Sequence, residues 1–487
     1  MTSREALALA AIGLPALSAL VLAVAPRRSI SVVALLGAFA SAAAALALAA
    51  VALADPDSPY VGDWLVVDAA AGVLVGVIGL VGLASVLVSQ DYLSTSRAGL
   101  VSAERGPRVY HIALAAFWAV LVAVPLAGNI GAAWLLVEAT TAASAILVGF
   151  SGKPRALEAG WKYLILTSLG LGFALLGIVL LASVTPGGAL DALSWTSLAV
   201  TVPPGETALV AYLLILAGLA AKIGWAPVHN WLPDAHSEAP PPVSALLSGA
   251  LLPAVLLVAW RSERALEPAV GVGTARSVLI GFGLVSLAVA VPFLWRPLAW
   301  KRLLAYSSLE HMGVIALGIG FATPLALAGV VVHIVGHALA KALGFYAATP
   351  LLGHEPRAGG HAVTGIARTQ PALGATMGIS LGALAGLPPS PLFVSEILIV
   401  AGGIDAGDGW AAGAAAVLLA LGFLGLAHAL MDTTGGKAHR RDREHAPGLG
   451  LVVVLGSITT VLLLGLACAA FWLPGTGIVE ALVEGIE

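Results

Sequence analysis

The sequence predicts an all-α integral membrane protein of about fourteen transmembrane helices. Three observations lead there. Of 487 residues, 59% are hydrophobic and only 10% are charged, against about 25% charged in a soluble domain. Mean hydropathy is +1.00. The apolar residues fall in repeated runs near the roughly 20 residues that cross a bilayer as a helix. Ala, Leu and Gly dominate, and the short alternating segments of a β-barrel are absent from the pattern.

The first run follows Met1-Thr-Ser-Arg-Glu5 and continues to Ala25. It exceeds the roughly 7–15 apolar residues of a signal peptide and reads as a retained helix. Further runs, separated by Pro, Gly or charge, place helices near 30–54, 66–88, 109–127, 129–150, 158–184, 207–232 and 239–260. The last six lie near 274–295, 301–320, 324–350, 371–402, 409–431 and 449–473. An even count puts both termini on one side. Alternate loops hold 16 Lys and Arg residues in one set and 4 in the other, the asymmetry expected of cytoplasmic and outer loops. Both termini are therefore expected outside. The 4 are Arg4, Arg261, Arg264 and Arg276, and the last three make the stretch 261–276 read as a basic outer loop.

Single-residue composition narrows the chemistry. One cysteine, Cys468, excludes a disulfide within the chain and any cluster held by several of its own thiolates. The net charge of −3 says little about partners, and nothing in the sequence points to nucleic acid.

Two of the helices look interrupted. Gly224 and Pro227 follow Lys222 in the seventh, and Gly386-Leu-Pro-Pro-Ser-Pro391 lies inside the twelfth. Proline removes a backbone donor and kinks a helix. Non-helical backbone at membrane depth survives only where protein or a water-filled cavity satisfies it. In transporters such breaks come in pairs, one per inverted repeat. Breaks five helices apart suit two inverted five-helix repeats, helices 4–8 and 9–13. The expected division is an N-terminal three-helix segment (1–108), a first repeat (109–260), a second, inverted repeat (261–431), and a C-terminal loop and last helix (432–487).

Ionisable residues inside apolar runs carry the chemistry, because each costs at least about 2.5–3.5 kcal/mol near a helix centre. Glu138, Lys222, Lys341, Glu396 and Lys162 qualify. An opposite charge within about 4–6 Å favours ionisation and burial opposes it, so a Glu138–Lys222 pair that can be made and broken is a switch of proton affinity. His333, His337 and Lys341 follow one another at i, i+4, i+8 on one helical face. A row of titratable groups ending in lysine reads as a relay, since histidine changes charge near neutrality. The His-x3-His pair also suits a metal, but no third ligand has convincing spacing, and none is expected. Glu396 would be the outer acceptor. Lys162 lies close enough to its helix start to snorkel. His229 accompanies the first break, while Asp234, His236, Glu238 and Glu310 are placed near cytoplasmic ends, to feed protons in or simply be solvated.

The stretch Lys222-Ile-Gly-Trp-Ala-Pro-Val-His-Asn-Trp-Leu-Pro-Asp-Ala-His-Ser-Glu-Ala-Pro240 resembles the antiporter-like subunits of respiratory complex I and its relatives. The match continues through Lys301-Arg-Leu-Leu-Ala-Tyr-Ser-Ser-Leu-Glu-His-Met-Gly313, His333 to Phe345, and Gly386 to Leu398. The resemblance implies fourteen helices, the same two repeats and a hydrated polar axis along the membrane midplane. By motif, Glu138 falls at the family's helix-5 glutamate, Lys222 at its helix-7 lysine, Lys341 at its helix-11 lysine and Glu396 at its helix-12 terminal group. Glu310 before His311-Met-Gly313 looks like the branch found in membrane-bound nickel–iron hydrogenases, hydrogenase-4 component F and formate-hydrogenlyase-type subunits. One departure stands out. Complex I members usually carry a lysine or histidine in helix 8, whereas Gly249 to Trp260 offers Pro253 and no ionisable group.

The resemblance thus implies a proton-translocating subunit without redox centres, in the cell membrane of a prokaryote. Its partners would be other membrane subunits and a soluble redox arm holding nickel–iron and iron–sulfur centres. Two alternatives remain open at this point: a subunit of a multi-subunit sodium/proton antiporter, with Na+ in place of or beside protons, and a membrane scaffold for a soluble catalytic arm.

Overall fold

The computed structural model describes residues 2–95, 106–185, 193–351, 364–437 and 449–470. Of the loop charges tallied above, Arg97, Arg105, Arg357, Arg440, Arg441 and Arg443 lie outside these residues, as do the last three residues of the predicted span 449–473.

The N-terminal part contains α1 (Ser3–Val24), α2 (Ile30–Ala54), a two-residue hairpin of β1 (Tyr60–Val61) with β2 (Val66–Val67), and α3 (Ala69–Thr95). Then come α4 (Gly106–Ala123), α5 (Ile130–Val148), α6 (Pro154–Val184), a short α7 (Trp195–Thr201), α8 (Glu206–Ile223) and α9 (Leu232–Glu238). A rod of α10 (Pro241–Leu246), a π-helical turn (Leu247–Leu251) and α11 (Leu252–Val270) follows. The remainder is α12 (Val272–Leu294), α13 (Trp300–Phe321), α14 (Pro324–Tyr346), α15 (Ile366–Thr369), α16 (Pro371–Leu384), α17 (Pro391–Asp405), α18 (Gly409–Gly435) and α19 (Leu449–Ala470).

Among the described residues thirteen segments are long and apolar enough to cross a membrane. The remaining predicted span, the twelfth at 371–402, is α16 and α17, two halves of 14 and 15 residues, each short of the roughly 20 a crossing needs. The chain is a multi-pass membrane protein. The apolar cores of the rod α10–α11 and of helix α13 are enclosed, whereas α18 and α19 keep most of their apolar surface outward, as lipid-facing helices should.

Arginines close helix ends on both sides. Arg108 donates to Ala23 O at 3.1 Å and Ala25 O at 2.6 Å, satisfying the last carbonyls of α1. Arg4 does the same for α2 through Val51 O and Asp55 O.

The predicted basic loop 261–276 is corrected: α11 runs on to Val270 and only Gly271 separates it from α12. Its charges are consumed inside the protein. Arg261, 2% exposed, pairs with the fully buried Asp68 of the loop before α3 and donates to Pro125 O at 2.8 Å. Arg264 pairs with Glu267 at 2.8 Å, and Glu267 also meets Arg276 at 3.8 Å. A buried pair satisfied this fully costs little, but losing one partner would leave the other charge uncompensated. The domain boundary drawn at 260/261 accordingly falls inside α11.

Candidate functional site: a buried polar axis

Two breaks organise the site. α8 ends at Gly224 (φ 83°) and α16 gives way to Gly386 (φ 72°), left-handed backbone that glycine adopts without a Cβ penalty. Each glycine precedes a cis X-Pro bond, Ala226–Pro227 and Pro388–Pro389. Short helices, α9 and α17, resume beyond. The predicted interruptions at helices 7 and 12 are thus both present.

In the first half, Lys222 sits in the last turn of α8 and is fully buried. α8 lies close to α6 because Gly170 and Gly218 meet at the crossing; a Cβ on Gly218 would stand 2.5 Å from Gly170 O. That approach brings the Lys222 ammonium to Tyr163 OH, 2.6 Å away, and it also donates to Thr141 Oγ1 at 2.6 Å. Tyr163 OH shares a further hydrogen bond with Ser144 at 2.7 Å. Glu138, one turn before Thr141 on α5, accepts from Ser168 at 2.5 Å. Its second oxygen has no hydrogen-bond partner among the described residues. Among the described residues Glu138 and Lys222 form no ion pair; the hydroxyls of Thr141 and Tyr163 take the ammonium instead.

The second half is far more crowded. Lys341 of α14 donates to Leu304 O at 2.5 Å and to Ser307 of α13. His333 and His337 precede it on the same face, both fully buried. His311 Nδ1 and His333 Nε2 are 3.0 Å apart, and the His311 and His337 rings meet at 5.1 Å between centroids. His333 Nδ1 lies 2.9 Å from Ser395 Oγ of α17. Glu396 follows Ser395, with its carboxylate tucked against Gly386, where a Cβ would lie 2.9 Å from Oε2.

Glu310 is corrected in depth. It occupies the middle of α13, 3% exposed, rather than a cytoplasmic end. Its carboxylate lies against Gly422 of α18, where a Cβ would fall 1.9 Å from Oε1.

His236 is also not a solvated end group. It is fully buried on α9, stacked on Phe345 of α14 at 5.5 Å and tilted against Trp231 at 6.2 Å. Trp231 in turn packs on Tyr163 at 4.8 Å. His236 therefore stands between the Lys222 and Lys341 groups. Pro253 begins α11 just after the π-helical turn. Within that turn Ser248 hydrogen-bonds Ser308 at 2.8 Å.

The remaining candidates lie off the axis. Lys162 is 46% exposed and pairs with Glu158 at 2.7 Å and Asp234 at 3.2 Å, which fits snorkelling. Asp234 also meets Arg302 at 3.2 Å. His229 and Glu238 are half-buried. Sequence reasoning passed over Tyr163, Thr141, Ser144 and Ser168, whose only signal was hydroxyl residues inside apolar helices. It used His311 as part of a motif without assigning it a place in the path.

The sequence comparisons name the family of this chain. Residues 127–422 match the family described as NADH:quinone oxidoreductase/Mrp antiporter, transmembrane. The chain belongs to this family. It is 33% identical over 348 residues to the hydrogenase-4 component F homolog of Methylacidiphilum infernorum, covering 70% of this chain and 72% of that one. It is 30% identical over 372 residues to NADH-quinone oxidoreductase subunit N of Desulforudis audaxviator, covering 72% and 70%. Among solved structures, a chain of the membrane-bound sulfane sulfur reductase, an archaeal respiratory membrane complex, superposes with a TM-score of 0.83 at 21% identity. That alignment covers 98% of this chain and 97% of the other, so the fold is shared end to end. This is an antiporter-like membrane protein of the complex I, Mrp and hydrogenase type.

Proposed function

We propose that the chain is a proton-translocating, non-redox membrane subunit of a complex I-like oxidoreductase of the membrane-bound nickel–iron hydrogenase or formate hydrogenlyase kind. The observation that carries this reading is the row of buried and half-buried ionisable side chains drawn from six helices: Glu138, Lys222, His236, Glu310 with His311, His333 with His337 and Lys341, and Glu396. An apolar interior retains such groups at several kcal/mol each only where they are used. The hydrogenase-4 relative supports the choice of complex.

In this reading a proton enters near Asp234 and Glu238, with His229 at the same break, and reaches Lys222. The hydroxyls of Thr141 and Tyr163 hold the ammonium until the charge on Glu138 changes. The proton then crosses to Lys341 by way of His236, in place of the ionisable residue absent from the stretch 249–260. It leaves along His337, His311 and His333 to Glu396. Buried polar atoms without protein partners, on His236, His337, His311 and Glu310, are where ordered water belongs.

Glu138 and Glu396 are only half-buried, and their neighbours Leu135 and Ile397 face outward. A carboxylate at that depth does not face lipid. These faces therefore suit neighbouring membrane subunits, with nickel–iron and iron–sulfur centres in a soluble redox arm. The complex would lie in a prokaryotic cell membrane with both termini of this chain outside.

The test is redox-driven proton transport in vesicles. Lys222→Ala is expected to lower it at least about 100-fold, the lower range for losing a positioned proton-transfer group. Unchanged transport would refute the relay and favour a scaffold. The second reading, sodium/proton exchange, rests on the family's inclusion of Mrp antiporters. It predicts transport that requires Na+ and needs no electron donor.

A further inference from the structure

We propose that His311, His333 and Glu396 form a binding site for a divalent transition-metal ion of the zinc class. No two of the three are neighbours in sequence, and they come from three helices, α13, α14 and α17. One ligand atom from each lies within 4.8 Å of the other two. Two imidazole nitrogens and one carboxylate oxygen are a donor set that zinc accepts, with the fourth position left to water. The pair visible in the sequence, His333 with His337, has the spacing but lacks a third ligand. The fold supplies a different pair and completes it with Glu396.

The hydrogen bonds orient the site. Ser395 Oγ donates to Leu392 O at 2.8 Å, so its proton is committed there. The 2.9 Å contact with His333 must then be donated by His333 Nδ1–H. This fixes the tautomer and turns the lone pair of His333 Nε2 toward His311, as an outer hydrogen bond does for a metal-binding histidine. His311 Nδ1 lies 3.0 Å from that lone pair. Bonds of roughly 2.0–2.1 Å in a tetrahedral site put two ligand nitrogens about 3.3 Å apart. Accommodating the ion therefore needs an opening of about 0.3 Å, with the His311 proton moving from Nδ1 to Nε2. Among the described residues His311 Nε2 makes no hydrogen bond that resists that shift.

The site's consequence rests on the proposed relay. A metal ion on His333 Nε2 and Glu396 occupies the atoms through which a proton would leave, so bound zinc should block transport.

The two claims separate experimentally. The full chain, purified in mild detergent with its accompanying subunits, is titrated with Co2+ and then Zn2+. Absorption bands of tetrahedral Co2+ should appear and be abolished by zinc. Dialysis should find one zinc equivalent per chain fewer in His333→Gln and in Glu396→Gln than in the unaltered protein. Ser395→Ala, which removes only the outer hydrogen bond, should keep the stoichiometry and weaken affinity about 10–100-fold. His337→Gln, which leaves the ligand set intact, should still bind and serves as the folding control. Equal zinc binding in the unaltered protein, His333→Gln and Glu396→Gln would overturn the site and place the metal elsewhere, for example at surface His428 beside Asp432. Site-specific binding without loss of proton transport would leave the metal site standing and contradict the relay.

Discussion

The two halves of the polar axis hold their lysines in different ways. In the first, Lys222 is surrounded by hydroxyls: Thr141 and Tyr163 accept from it, Ser144 supports Tyr163, and Ser168 serves Glu138. In the second, Lys341 donates to one carbonyl and one serine, and its surroundings are three histidines and a buried glutamate. Hydroxyl groups satisfy a buried ammonium without themselves changing charge near neutrality. Histidines do change charge there. The proposed relay accordingly assigns holding a proton to the first half and passing one along to the second.

The largest effect that would sharpen this contrast is steric. Gly422 gives Glu310 its room, and a methyl group there would stand 1.9 Å from the carboxylate. Gly422→Ala should destabilise the protein by about 1–3 kcal/mol, the usual cost of overpacking. Thermal unfolding in detergent would read it, and Glu310→Ala in the same chain should restore most of the loss. No rescue would mean that Glu310 does not pack there.

A comparable change addresses the first half. Thr141→Val removes one of the two acceptors on Lys222 while keeping the shape. A hydrogen bond to a charged group is worth about 1.5–3 kcal/mol, so proton transport should change about 10-fold or more while the chain still accumulates. A rate equal to that of the unaltered protein would mean that the hydroxyl cage is packing alone.

The smallest effect belongs off the axis. Lys162→Ala breaks exposed pairs with Glu158 and Asp234, worth about 0–1 kcal/mol. Transport should stay within about 2-fold, the rate equivalent of such a loss at its low end. A large drop would put Lys162 back in the path.

The two halves were not equally legible in the sequence. The spans could be read because hydropathy acts locally, and the breaks because Gly224, Pro227, Gly386 and Pro389 force them. Lys222, Lys341, His333 and His337 stood out against apolar runs. What escaped depended on contacts between helices. Charge alone made Arg261, Arg264 and Arg276 look like a loop, because Asp68 lies 193 positions from Arg261 in the chain. Glu310 and His236 read as end groups because their neighbours in sequence are polar, yet packing against Gly422 and Phe345 encloses them. The lack of an ionisable group from 249 to 260 looked like a gap when only that stretch of helix 8 was considered. His236, on α9, stands between Trp231 and Phe345, and the proposed relay uses it there.

The junction between the halves is therefore the decisive place to measure. His236→Phe keeps an aromatic ring between Trp231 and Phe345 and removes both ring nitrogens. Redox-driven proton transport should be measured in vesicles with this variant, alongside its abundance in the membrane. The account predicts normal abundance with transport reduced at least about 100-fold, as for loss of a positioned proton-transfer group. Normal abundance with undiminished transport would contradict a path that joins the two halves through His236.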